Sequence, residues 1–417
     1  EDTREETLRG LIPEDLMKFR WLEEIACSPD GQHVAYTVRQ PDGARNDYQA
    51  DVYLLELDTH TRHKLSNGIG QGGSLSWSRD GQRLAFVWRG VQETSVELVD
   101  ADGSPRRSYP VDGPAPSGLD WSPNGGSLAC SRWTQVRGAN ESCRRPGVPA
   151  PSVRVLRRLR YKQDGVGWVE DRFRHIWVLA LDTGDWLQLT DGECDYSEPR
   201  WSWDGTRIAF SGMAREQNTT LGQGQILVCD YASGSIDRLM PEWQGVAASP
   251  QWRADDGAVA FTGHAEPPPV NRRRFSHVWL YELENGKSRD LTADLDQMVG
   301  NYAVADQRAG LANITVKWPG GQGRIYFLLT DQGATHLYSV TAAGEWRQEL
   351  GGKGVVFEYA PSETGRVAYG QASPASIGEL YLLDDGNSEQ LTRLNPWLES
   401  RRLSEPREYW YEGVDGQ

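Results

Sequence analysis

The sequence predicts an all-β fold: a seven-bladed β-propeller of four-stranded antiparallel blades, led by a short segment that contains a helix. Three observations carry that expectation. The first is a recurring phrase of an aromatic or small apolar residue, Ser or Arg, a spacer, Asp or Asn, and Gly. It reads Cys27-Ser28-Pro29-Asp30-Gly31, Trp77-Ser78-Arg79-Asp80-Gly81, Trp121-Ser122-Pro123-Asn124-Gly125, Trp201-Ser202-Trp203-Asp204-Gly205 and Trp252-Arg253-Ala254-Asp255-Asp256-Gly257. Weaker copies at Trp318 to Gly323 and Ala360 to Gly365 bring the units to seven. The second observation is that each phrase leads into a short run rich in β-branched and aromatic residues, the composition of a half-buried strand. The third is spacing: from Gly31 to Gly365 the turn glycines lie 50, 44, 80, 52, 66 and 42 residues apart. Short gaps near one four-stranded unit, repeated, are the sequence mark of propeller blades, and the long gaps hold insertions.

Residues 1–26 precede the first phrase. An acidic lead, Pro13 at a helix start and Glu14 and Asp15 in the first turn predict a short helix running into a strand. Leu16, Met17, Phe19, Trp21 and Leu22 are available to bury one face. Residues 27–395 form the propeller. Each Asp-Gly or Asn-Gly suits a tight hairpin, because Gly and Asn reach positive φ at little steric cost. The second strands follow, as at Val34 to Val38, Leu84 to Trp88, Ile208 to Ser211 and Val259 to Thr262. Third strands read Val52 to Leu57, Ile176 to Leu181, Ile226 to Cys229, Val278 to Leu283 and Leu380 to Leu383. Fourth strands close on Leu-Ser or Leu-Thr at Leu65, Leu189, Leu291 and Leu391. Residues 396–417 read as a linker and the start of a further domain, with the extended Tyr409-Trp410-Tyr411 near the end. A chain that starts at Glu1 rather than Met and stops at Gln417 is expected to be part of a longer product.

Composition narrows the function. Lys and Arg number 44 against 59 Asp and Glu, a net charge of −15, and such a field repels phosphate backbones, so nucleic acid is not an expected partner. Cys27, Cys130, Cys143, Cys194 and Cys229 show no C-x-x-C pairing, and an odd, scattered set suggests a reducing, cytoplasmic compartment. No apolar run reaches transmembrane length and no signal-peptide core is present, so no membrane association is expected.

Catalytic patterns are missing from the residues. A hydrolase serine needs a G-x-S-x-G elbow between strand and helix. The nearest match, Gly125-Gly126-Ser127-Leu128-Ala129, falls in a repeat turn. Of seven histidines only His60 and His63 have a metal-like spacing, in a polar turn, so no metal is expected. No phosphate-binding or dinucleotide glycine loop appears, and no cofactor is expected. Glu23-Glu24 and Asp384-Asp385 read as solvated charge.

One stretch reverses the sign of the chain. Between Arg132 and Phe173 the third unit is interrupted, and from Arg137 to Arg174 ten Lys or Arg face four Asp or Glu, a local +6. Two readings stand: a solvated loop paired with the acidic surface, or a basic loop near a pore that presents Arg160, Tyr161 and Lys162 to a peptide's carboxylate or carbonyls. The smaller loop from Pro267 to Arg274 reads as a rigid turn with a basic rim.

The chain resembles the N-terminal propeller portion of the prolyl oligopeptidase family of serine peptidases, in its acylaminoacyl-peptidase and dipeptidyl-aminopeptidase-like branch. The matching residues are Pro13-Glu14-Asp15-Leu16 with Ser28-Pro29-Asp30-Gly31, Arg158-Leu159-Arg160-Tyr161-Lys162-Gln163-Asp164-Gly165 with His175-Ile176-Trp177-Val178-Leu179, Asp331-Gln332-Gly333-Ala334-Thr335-His336-Leu337-Tyr338, and Leu391-Thr392-Arg393-Leu394-Asn395-Pro396-Trp397-Leu398. The resemblance implies an α/β-hydrolase domain, absent from this chain, that carries Ser, Asp and His. No catalytic residue carries over to any position here. It further implies a cytosolic peptidase of short peptides, free or acylated at the N-terminus, in which this portion is lid and filter. The α/β-hydrolase segment and short peptides are then the partners, residues 1–26 pack on the hydrolase domain, and association into a homo-oligomer is left open. The competing readings are a stand-alone propeller scaffold that binds a protein or peptide, and a periplasmic propeller of the translocation-associated type.

Overall fold

The computed structural model describes residues 8–135, 161–163, 167–168, 172–213, 224–267, 275–303, 313–404 and 406–414. Strand follows strand with tight turns between, and the sheets are antiparallel. The first unit is β1 (Trp21–Cys27), β2 (His33–Asp42), β3 (Asp47–Glu56) and β4 (Thr61–Lys64). The second is β5 (Gly70–Trp77), β6 (Arg83–Gly90), β7 (Thr94–Asp100) and β8 (Pro105–Pro110), joined to the first through one parallel pairing, Ala50 with Gln71. The third holds β9 (Ser117–Trp121) and β10 (Ser127–Gln135); its insertion contributes the short ladder β11 (Lys162–Gln163) and β12 (Gly167–Trp168), and the sheet resumes with β13 (Arg172–Ala180) and β14 (Trp186–Gln188). The fourth is β15 (Tyr196–Trp201), β16 (Arg207–Met213), β17 (Gly224–Asp230) and β18 (Ile236–Arg238). The fifth is β19 (Val246–Trp252), β20 (Ala258–His264), β21 (His277–Glu282) and β22 (Lys287–Asp290). Then come β23 (Arg324–Asp331), β24 (Ala334–Thr341) and β25 (Trp346–Leu350), with Lys317 bridging to Tyr326 ahead of them. The last unit is β26 (Val355–Pro361), β27 (Val367–Ser373), β28 (Ser376–Asp384) and β29 (Asn387–Gln390).

The core is divided among the gaps between successive sheets. Ala35, Val52 and Leu54 pack on Trp77, Leu84 and Phe86. Ala209 and Ile226 pack on Trp252, Val259 and Phe261. Val34, Tyr36 and Leu55 of the first unit pack on Phe357, Ala368 and Leu380 of the last, which closes the series into a circuit. This arrangement explains the continuous apolar second strands: Val34 and Tyr36 face one neighbour and Ala35 the other, so alternate residues on both faces are buried. The first strand of each unit lies on the inside of the circuit, where β1, β5, β9, β15 and β19 touch in succession and β26 touches β1.

Each residue of the recurring phrase has a mechanical task. In the second unit Ser78 Oγ accepts the Arg83 N–H at 2.9 Å and donates to Asp80, while Gly81 N–H returns to the Ser78 carbonyl at 2.9 Å. The same staple recurs at Ser28, Ser122 and Ser202. The turn differs from the expected one in a detail. Gly31, Gly81, Gly125 and Gly205 carry the positive φ, near 70°, and the Asp or Asn before them does not. In the fifth unit Asp256 occupies the glycine position at φ 56°. The indoles bridge between units: Trp77, Trp121 and Trp252 donate Nε1–H to the carbonyls of Ala26, Ser76 and Arg200, each in the preceding inner strand, at 3.1, 2.9 and 3.0 Å.

Pro13–Lys18 is a 3-10 helix, with Leu16 and Met17 exposed and Phe19, Trp21 and Leu22 buried. Strand β1 begins at Trp21 and pairs with β2, so the short helix runs into a strand as expected. Asp15 is 1% exposed and is bound by Arg9, Lys18 and Arg401. Residues 406–414 form no strand, and Tyr409, Trp410 and Tyr411 stand exposed.

Candidate functional site

The inner strands are irregular in the same place. β1, β5, β15, β19 and β26 each carry a register shift partway along, between Leu22 and Ile25, Gly73 and Ser76, Ser197 and Arg200, Ala248 and Gln251, and Val356 and Glu358. Bulges re-aim side chains, and here they turn polar groups from the pleat toward the inside of the circuit. Ser74, Glu198 and Ser249 take positive φ of 55°, 58° and 56° at these bulges.

A polar lining results. Glu24 accepts the Leu75 N–H at 3.1 Å, and a Cβ on Gly73 would stand 2.9 Å from its carboxylate, which is why glycine sits there. Glu24 is open to solvent yet surrounded by protein atoms; burial raises its pKa, and Glu358 and Glu23 add to the rise against the Leu75 and Ser74 N–H groups. Glu358 is held by Lys317 at 3.1 Å and by Asn313 Nδ2 at 3.2 Å. Glu198 accepts from Ser211 Oγ at 2.7 Å and from Ser249 N–H at 3.0 Å. Asp120 accepts the Trp201 N–H at 2.7 Å, and burial raises its pKa against Arg200 and Arg79. The lining can bind and orient polar backbone or a cationic group.

Arg160 falls outside the described residues. Tyr161 is 42% exposed and Lys162 is exposed, its backbone paired with Trp168. Ser127 is stapled to Ser122 as a turn residue. His60 lies 3.8 Å from Glu389. Among the described residues no group of three His, Cys, Asp or Glu is placed to hold a metal ion. Sequence reading missed the lining. Glu23-Glu24 looked like solvated charge because alternation alone puts neighbouring residues on opposite faces, and only the bulge at Leu22 and Ile25 directs Glu24 inward.

No family model matches the chain. A curated relative, the "Uncharacterized peptidase YuxL" of Bacillus subtilis, is 25% identical over 402 residues, which is 93% of this chain and 59% of the relative. The β-propeller domain of the Trilobed protease from Pyrococcus furiosus superposes with a TM-score of 0.62 at 16% identity, covering 91% of this chain and 99% of that one. The chain is a β-propeller related to peptidases. This peptidase-related propeller also superposes on an acylaminoacyl peptidase of Pyrococcus horikoshii with a TM-score of 0.73 at 18% identity, covering 96% of this chain and 56% of that one. At such identities the superpositions establish the fold alone. The propeller spans about half the length of the curated relatives it matches. No helix among its described residues is long and apolar enough to cross a membrane.

Proposed function

We propose that this chain is the seven-bladed propeller of a serine peptidase of the prolyl oligopeptidase type, and that it selects short peptides for a catalytic α/β-hydrolase segment lying outside this sequence. The observation that carries the reading is one of coverage. The chain matches a peptidase along 93% of its own length and only 59% of the relative's, and the part that matches is a closed circuit of sheets. Such a circuit over an active site admits a thin, flexible chain and turns away a folded protein. Enclosure also strengthens the hydrogen bonds that orient a scissile carbonyl. Seven blades fit the count of recurring phrases and the closure of the last sheet on the first. The free thiols of Cys27, Cys130, Cys194 and Cys229 favour a cytoplasmic setting.

In this reading Arg160, Tyr161 and Lys162, on a locally basic insertion, hold one end of the peptide. The test joins the chain to its hydrolase segment and follows cleavage of chromogenic peptides of increasing length. Serine-directed inhibition and a falling rate with length are expected. Arg160→Ala with Tyr161→Ala should raise KM severalfold with kcat nearly unchanged; unchanged KM removes the insertion from substrate binding. A single inactive 46.7 kDa species that recruits no hydrolase segment would turn the reading to a binding scaffold.

A further inference from the structure

Sheets adjacent in the circuit touch by packing, whereas sheets with another between them can touch only across the interior. At the end that carries the recurring turns, contacts of the second kind converge. Arg79, in the turn of the second unit, sends Nη2 to the carbonyls of Trp201 at 2.8 Å and Ser202 at 3.3 Å in the fourth, past the whole third unit. Its guanidinium lies 4.2 Å over the Trp203 ring. That ring reaches in turn to Gly320, beyond the fifth unit, so closely that a Cβ there would collide with it. Glu363 of the last unit, separated from the second by the first, acts electrostatically on Arg79, as do Asp120 and Asp256. Asp256 also fixes the Trp203 turn, accepting the N–H groups of Trp203 at 2.7 Å and Asp204 at 2.8 Å.

We propose that Arg79 laid on Trp203 closes the axial passage at the turn end, so that peptides reach the interior of the peptidase from the opposite end or from its flank. This rests on the function proposed above. A cation that feels carboxylates from three units and is stacked on an indole draws the inner rim together, and Arg suits it because its plane can stack and donate at once. Nη1 is buried without a hydrogen-bond partner. Stacking and charge therefore hold the closure more than a full set of hydrogen bonds does, and loss of one side chain opens it.

Hydroxyl-radical footprinting with peptide mapping tests the closure on the chain itself, whatever its activity. Arg79→Ala should raise oxidation of Trp203 severalfold while leaving Trp121 and Trp252 unchanged, and Arg79→Lys should fall between. Equal oxidation of Trp203 in the unaltered chain and Arg79→Ala, with both folded by circular dichroism, would overturn the closure. The route is tested in the assembled enzyme. Arg79→Ala should raise kcat/KM for peptides of about twenty residues severalfold and change it less than twofold for a tripeptide; an unchanged length profile with the footprint altered would overturn the route. If the unaltered enzyme shows no serine-inhibitable cleavage, the proposed function fails and the footprint still decides whether the passage is closed.

Discussion

An indole N–H buried without an acceptor costs free energy, so the repeated tryptophan does more than fill space. Trp121 donates to the Ser76 carbonyl at 2.9 Å, whereas Trp201, at the same place in the fourth unit, has Nε1 buried with no partner. The pair offers an internal control. Trp121→Phe removes the donor and so the indole hydrogen bond to Ser76, which costs about 0.5–1.5 kcal/mol beyond the change in packing. Trp201→Phe deletes an unpaired donor and is expected to cost clearly less. Urea unfolding midpoints of the two variants check this, and equal losses would assign the tryptophan to packing alone. The thiols of half-buried Cys27 and buried Cys130 carry a related expectation. Burial pushes Cys27 and Cys130 up to about 12, so neither supplies thiolate near neutral pH, and both should resist thiol reagents until the chain unfolds.

At the scale of the element, the turn is where sequence and structure meet most directly. Gly81 takes φ 70°, and a Cβ there would meet Pro29 and Asp30 only at ordinary contact distance, so backbone strain is the main cost of a side chain. Gly81→Ala should cost about 1–2 kcal/mol. Gly81→Asn should cost less, since Asn enters the left-handed region more readily and Asp256 already holds the equivalent position at φ 56°. Equal unfolding midpoints for the two variants would rule out strain as the cause. The Ser, Asp or Asn, and Gly of the first four phrases were legible because local hydrogen bonds define the turn, and the second strands because their apolar runs are long. The bulges were not legible. Nothing in Trp21-Leu22-Glu23-Glu24-Ile25 announces the register shift that turns Glu24 inward. The meeting of Arg79 with Trp203 was hidden for a different reason: the two stand in separate turns, and only closure of the circuit brings them together. The lead-in was legible as a short helix running into a strand, but a helix of six residues keeps 3-10 pitch and leaves Leu16 and Met17 outside.

For the whole molecule, the decisive place is the junction of first and last units. All four strands of the last unit come from the C-terminal side, so among the described residues no strand pairs across the junction. Closure falls to the shared apolar cluster, to backbone hydrogen bonds from the Glu363 N–H to the Pro29 carbonyl and from the Arg402 N–H to the Arg9 carbonyl, each at 2.9 Å, and to side chains: Asn395 exchanges two hydrogen bonds with the Arg20 backbone at 2.9 and 2.7 Å, Arg366 reaches the Gly31 carbonyl at 3.1 Å, and Arg401 binds Asp15. Asp15 is the acid-sensitive member. Its bonds with Lys18 and then Arg401 hold its pKa well below the usual carboxylate value, so the folded state prefers the ionised form more than the unfolded state does. The stability this provides is fully present above the unfolded pKa, near 4, and is lost as pH falls from there toward the lower folded value. Asp15→Asn should therefore unfold at lower urea than the unaltered chain at pH 7, and the gap between them should narrow as the pH is taken from 5 to 3. Lys18 and Arg401 keep their charge throughout that range, so the narrowing isolates the carboxylate. A gap that stays constant with pH would mean that Asp15 serves the junction by shape and hydrogen bonding alone, and that acid opens the circuit, if at all, at another seam.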